Sequence, residues 1–160
     1  MAPQGIRVDI GGFGRLALAH LVLDFNGTLA VDGAVLPGVK PKLRKLGQSL
    51  RLHVVTADTF GKARASLAGV HCELHVLAPG NEDRAKAAYV RRLGANRVAS
   101  IGNGRNDRLM LKGAALGIAT IQREGAAAQA LHGADIIVHD VRDALDLLLE
   151  PRRLIATLRA

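Results

Sequence analysis

The chain has 160 residues, 49% apolar and 22% charged, with one cysteine, a globular balance that excludes whole-chain disorder, a disulfide framework and a Cys-rich zinc site. Lys and Arg number 22 against 14 Asp and Glu, a formal charge of +8, which suits nucleic acid, an anionic membrane or a small phosphorylated ligand. Aromatics are only 2%, too few for a single-strand stacking platform, so nucleic acid is disfavoured; no apolar run nears the ~20 residues that span a bilayer, so no membrane partner is expected and the cytoplasm is the expected location.

Ile6, Val8 and Ile10 alternate with polar residues, and the glycine-rich turn 11–14 leads to Leu16-Ala17-Leu18, so an N-terminal hairpin is predicted. Leu21-Val22-Leu23 is a short buried strand ending at Asp24. A small hairpin at Val31–Val35 and a helix from about Val39 to Ser49 follow. Leu52–Val55 is the second core strand, ending at Thr56, and a short helix runs from about Phe60 to Leu67. Leu74–Leu77 is a third strand. The helix from Asn81 to Leu93 has Asn81 placed to cap it and Gly94 to stop it. Val98–Ile101, Gly117–Ile121 and Ile136–Val138 are further strands, with a helix over Ala126–Leu131. The tail from Val141 to Arg159 is helical and broken at Pro151. This alternation predicts one α/β domain over 1–160 with a mostly parallel, three-layer Rossmann-like sheet. It divides into a hairpin (1–20), a core (21–139) and C-terminal helices (140–160).

Open parallel sheets bind ligands at the carboxyl ends of their strands, and the chemistry-bearing residues fall there. The first core strand ends in Asp24-Phe25-Asn26-Gly27-Thr28, the second in Thr56-Ala57-Asp58, and the fourth in Gly102-Asn103-Gly104-Arg105-Asn106-Asp107. Lys86 lies on the helix between the third and fourth strands. In this order and spacing the fragments resemble the haloacid dehalogenase-like (HAD) phosphotransferases. They look most like a stand-alone, soluble phosphorylation domain of the P-type ATPases, without a cap domain. The resemblance runs from about Leu21 to His139.

The resemblance implies a nucleophilic Asp24 that forms an aspartyl-phosphate. Gly27 lets the turn expose amide donors to phosphate, and Asn26, Gly27, Thr56 and Ala57 border the phosphoryl group with Lys86. Thr56 donates a hydroxyl hydrogen bond, although a strand-end Thr needs no such role. Lys86 neutralises charge in the transition state; Arg84, two residues earlier, is a rival and a solvated lysine the plain alternative. Mg²⁺ is the implied cofactor, held by Asp24, the Asn26 carbonyl, Asn103 and Asp107. Asp107 also stands where a helix N-cap would.

Two positions depart from the pattern. Phosphatases of this superfamily carry a second Asp where Asn26 stands, and an amide cannot shuttle protons. Asn103 stands where the motif has a metal-ligating Asp. The expected activity is therefore a slow, Mg²⁺-dependent phosphohydrolase, a phosphatase or ATPase, acting on ATP or another activated phosphate ester. The alternative is a regulatory module that binds phosphate and Mg²⁺ and a protein partner. With only the Val31–Val35 hairpin as a flap, the site is open, which suits a phosphorylated small molecule, a phosphoprotein or self-association that covers it.

Overall fold

The computed structural model describes residues 2–57 and 61–160. Two strands, β1 (Ile6–Ile10) and β2 (Gly14–Leu18), form the N-terminal antiparallel hairpin, with Ile6 opposite Leu18. Their period of two sends Ile6, Ile10, Leu16 and Leu18 inward and leaves Arg7, Asp9 and Arg15 in water.

The main sheet has six parallel strands: β3 (His20–Leu23), β6 (Arg51–Thr56), β7 (Glu73–Val76), β8 (Val98–Gly102), β9 (Leu116–Thr120) and β10 (Ile136–Val138). They lie in the order β10-β9-β8-β3-β6-β7. Between β3 and β6 sits the small hairpin of β4 (Ala30–Val31) and β5 (Ala34–Val35). Every residue of β3, β8 and β9 is buried, as expected of strands covered on both faces. The chain winds outward from β3 to β7, then returns to place β8 on the other side of β3. That reversal opens a crevice at the carboxyl ends of β3 and β8.

The two faces are covered by different helices. Leu21, Leu23, Leu52, Val54, Ala99, Ile101 and Ile118 pack with α1 (Val39–Leu46), α6 (Val141–Leu149) and α7 (Arg152–Leu158). On the opposite face Val22 and Val55 meet Tyr89 and Val90 of α3 (Glu82–Leu93) and Met110 of α4 (Arg108–Gly113). Beside α4, α5 (Ala128–Gly133) covers Ala119. In α1 the buried residues are Val39, Leu43 and Leu46, at helical spacing, and the lysines and Arg44 take the other side.

Several boundaries differ from the sequence expectation. The helix expected over Val39–Ser49 ends at Leu46, because Gly47 to Leu50 close it with tight turns onto Leu43, Lys45 and Leu46 carbonyls. The short helix expected from Phe60 is α2 (Lys62–Ser66); its expected start lies outside the described residues. The helix expected at Ala126 begins at Ala128, after the Ala127 amide has bonded the Asn103 carbonyl. Asn81 occupies the cap position of α3, but in a left-handed conformation whose side chain makes no capping bond. There the helix is entered through backbone geometry alone.

Candidate active site

Asp24 directly follows β3, and the chain then folds into a tight turn. The amides of Thr28, Leu29 and Ala30 all bond the Phe25 carbonyl, at 2.9 to 3.2 Å, and the Gly27 amide bonds the Ala30 carbonyl. Gly27 has φ +80, and a Cβ there would lie 2.5 Å from Asn103 Nδ2, so both conformation and space demand glycine. The turn spends its later amides internally. Among the described residues, the amides of Phe25 and Asn26 find no protein acceptor.

Lys86, one turn into α3, is 1% exposed. Its Nζ donates to Asp24 Oδ1 at 2.8 Å and to Asp107 Oδ1 at 2.7 Å. Arg84 is exposed on the same helix, so Lys86 is the cation of the site. A long helical side chain leans toward its helix N-terminus, which carries Nζ up to the sheet edge. Asp107 is fully buried, and its second oxygen accepts from the amides of Asn103 and Gly104 at 3.0 and 2.9 Å. Gly102 makes this packing feasible, since a Cβ there would lie 2.5 Å from Asp107 Cγ. Asp107 thus heads α4 without capping it by its side chain; its carboxylate anchors Lys86 and the 103–104 backbone.

Thr28 Oγ1 lies 3.1 Å from Asp24 Oδ2 and 3.3 Å from Asn103 Oδ1. Asn103 Nδ2 donates to the Gly125 carbonyl, which turns its oxygen toward the site. The structure therefore joins Asp24, Thr28, Lys86, Asn103 and Asp107 in one hydrogen-bonded set. Thr56 is buried at the carboxyl end of β6, beside β3, with Ala57 half-buried beyond it. Asp58 lies outside the described residues. Asn26 is exposed at the lip of the turn.

Two buried carboxylates share one ammonium. Burial and the charge of Asp107 push Asp24 up to about 7, against the pull of Lys86 and Thr28. Burial alone would lower Lys86, but the charges of Asp24 and Asp107 and the hydrogen bonds to both hold it above its ordinary value. The donors are oxygen only, and the site is one positive charge short. That fits a hard divalent cation. Asp24, Asn103 through Oδ1, the Asn26 carbonyl and Asp107 are the groups that would hold it. Among the described residues no three His, Cys, Asp or Glu side chains group as a metal site.

Beside the site, a cavity of about 340 Å³ opens between the start of α3 and the single 3₁₀ turn Arg105–Asp107. Asp83 pairs with Arg108 at 2.8 Å and Glu82 accepts from Asn106 at 3.0 Å. Arg105, exposed on the rim, forms no ion pair among the described residues.

At the opposite end of β3, His20 Nδ1 is 3.0 Å from His53 Nε2, and His53 Nδ1 is 2.8 Å from the Tyr89 hydroxyl. These buried groups gave no motif in the sequence, since they come from three elements. Burial lowers His53 to about 4, despite the Glu73 carboxylate 3.6 Å away, and lowers His20 as well. A neutral buried histidine stabilises above its unfolded pKa, and that contribution is lost as pH falls toward the folded value. Asp24 acts in the opposite sense over much of this range. The measurement is therefore the difference in unfolding free energy between wild type and His53→Gln. It is expected to shrink by on the order of 2 kcal/mol from pH 6.5 to pH 4. A difference constant with pH would show His53 charged in the fold.

No family model matches the chain. Similar solved structures include the cobalt-bound deoxy-D-mannose-octulosonate 8-phosphate phosphatase of Haemophilus influenzae, with a TM-score of 0.69 and 13% identity over 89% of this chain and 94% of that one. The 3-deoxy-D-manno-octulosonate 8-phosphate phosphatase of Moraxella catarrhalis, in complex with magnesium, phosphate and KDO, matches at 0.65 and 17% identity over 87% and 90%. A Legionella pneumophila protein provisionally described as a HAD superfamily (subfamily III A) hydrolase matches at 0.68 and 18% identity over 88% and 87%. The chain has the haloacid dehalogenase-like fold, as its motifs led one to expect. It belongs to the same family as an uncharacterized protein of Methanocaldococcus jannaschii, 52% identical over 63 residues, 39% of this chain and 68% of that one. A second uncharacterized protein of that organism is 41% identical over 39 residues, 24% of this chain and 89% of its own. Among the described residues no helix is long and apolar enough to cross a membrane.

Proposed function

We propose that the protein is a Mg²⁺-dependent phosphohydrolase that works through an aspartyl-phosphate on Asp24. The support is the buried bridge in which Lys86 Nζ joins Asp24 and Asp107 at the crevice between β3 and β8. A carboxylate so held is oriented and desolvated, and a fixed ammonium stands beside it to meet charge developing on a phosphoryl group. The Phe25 and Asn26 amides supply further donors. Mg²⁺, when bound, supplies the Lewis-acid charge that lets two anions meet.

Asp24 attacks phosphorus, the bond to the leaving oxygen breaks, and that oxygen departs with the electron pair. A water then attacks the phosphorus of the aspartyl-phosphate, releasing inorganic phosphate and restoring Asp24. Asn26 can neither protonate the leaving oxygen nor take a proton from the water. Substrates are therefore donors whose leaving groups need no proton: aryl phosphates, acyl phosphates and ATP. The octulosonate 8-phosphates acted on by the solved phosphatases are alkyl esters, and Asn26 places this chain apart from them.

Incubation with γ-³²P-ATP or ³²P-acetyl phosphate and Mg²⁺, followed by acid quench, is expected to leave a label on the protein. Hydroxylamine should release it, and Asp24→Asn should never acquire it. No label from any donor, with no hydrolysis of p-nitrophenyl phosphate at high Mg²⁺, would sink the reading. The regulatory-module alternative, binding without turnover, would then stand.

A further inference from the structure

Gln122 lies just past β9 and is half-buried. Its Nε2 donates to the Gly27 carbonyl at 3.1 Å and to the Thr28 carbonyl at 2.9 Å. Its Oε1 accepts from the Val141 amide, the first residue of α6, at 2.7 Å. The three bonds fix the amide one way round. Reversed, it would set an NH₂ against an N–H and an oxygen against two carbonyls. The same segment reaches the other half of the site: the Gly125 amide closes a turn onto the Gln122 carbonyl, and the Gly125 carbonyl accepts from Asn103 Nδ2.

We propose that Gln122 is a positioning residue for the phosphoryl site. It grips the carbonyl edge of the turn after Asp24 and ties it to α6, so that the Phe25 and Asn26 amides and the Thr28 hydroxyl keep their aim. Glutamine is the side chain this demands. It is long enough to reach both carbonyls and α6, and it offers a donor and an acceptor without charge. An ionised glutamate would face two carbonyl oxygens with no proton to give.

The inference rests on the phosphohydrolase reading for its kinetic part, but the turn itself can be read without activity. In Gln122→Glu at pH 7.5, amide hydrogen exchange at Thr28, Leu29 and Ala30 is expected to rise about tenfold, with the melting temperature little changed. Hydrolysis of p-nitrophenyl phosphate should fall about tenfold or more, as a misplaced turn costs orientation. Between pH 7.5 and 5 the ratio of variant to wild-type activity should climb. A protonated glutamate regains one donor for the carbonyls while its C=O still accepts from Val141. Gln122→Met, which cannot titrate, should show a flat ratio. Unchanged exchange in Gln122→Glu, or a pH-independent ratio in an active variant, would overturn the proposal. An inactive wild type would overturn the phosphohydrolase reading instead, and the exchange data would still decide the role of Gln122.

Discussion

Asn26→Asp is expected to hydrolyse its phosphoenzyme about a hundredfold faster than wild type. A positioned general acid–base commonly supplies 10²- to 10⁴-fold, and the lower end suits a site not otherwise tuned for it. The position is favourable for the exchange. Asn26 is exposed at the lip of the turn, its side chain makes no hydrogen bond among the described residues, and Asp has the same shape. The new carboxyl can protonate a leaving oxygen and later take a proton from the attacking water. On the proposed mechanism, alkyl phosphates should become better substrates for the variant than for the wild type. The check is the decay of ³²P-labelled protein after an unlabelled chase, together with phosphate release from a sugar phosphate. Unchanged or slower decay would mean that water is activated by some other group.

The second large effect is expected at Lys86. Lys86→Met keeps the length and apolar stem but leaves Asp24 and Asp107 buried without their shared cation. Breaking a buried charge set in this way typically costs about 3–5 kcal/mol. For a domain of this size that is a fall in melting temperature of roughly 6–20 °C. The loss should be greatest at high pH, where both carboxylates must ionise, and should ease below neutrality as the pair takes up a proton. Adding Asp24→Asn to Lys86→Met should recover part of the stability, because one of the stranded charges is gone. Urea titrations of the wild type and both variants at pH 6 and pH 8.5 test this. A Lys86→Met protein as stable as wild type at pH 8.5 would show that the ammonium does not hold the carboxylates in place.

Much of this arrangement was legible in the residues. Most strands of the sheet carry short, mainly apolar runs, such as Leu21-Val22-Leu23, that read as buried parallel strands. Asp24, Thr56 and Asp107 follow such runs, so their convergence on one edge was a matter of topology. Lys86 was harder. Its helix offers Arg84 as well, and only the helical phase relative to β3 sets one inward and the other in solvent. Gln122 was not legible at all. It follows a strand in a loop of ordinary polar composition, and its partners are backbone carbonyls, which leave no trace in side-chain patterns. The His20–His53–Tyr89 chain was hidden for a related reason. Each member sits singly in its own element, and only the parallel register of β3 with β6, under α3, brings them within bonding distance.

The strand order also bears on how the protein folds. On one side β3 pairs with β6, His20 against Arg51; on the other it pairs with β8, His20 against Val98. The second pairing closes a far longer stretch of chain, and contacts of that span are slow to form. An early nucleus built on β3, α1 and β6 would contain Asp24 and Thr56 but neither Asn103 nor Asp107. Until β8 slots in, β3 presents an unpaired apolar edge, open to mispairing with another nascent chain. On that order, joining Asp107 to Asp24 and Lys86 and removing that hazard would be a single late event.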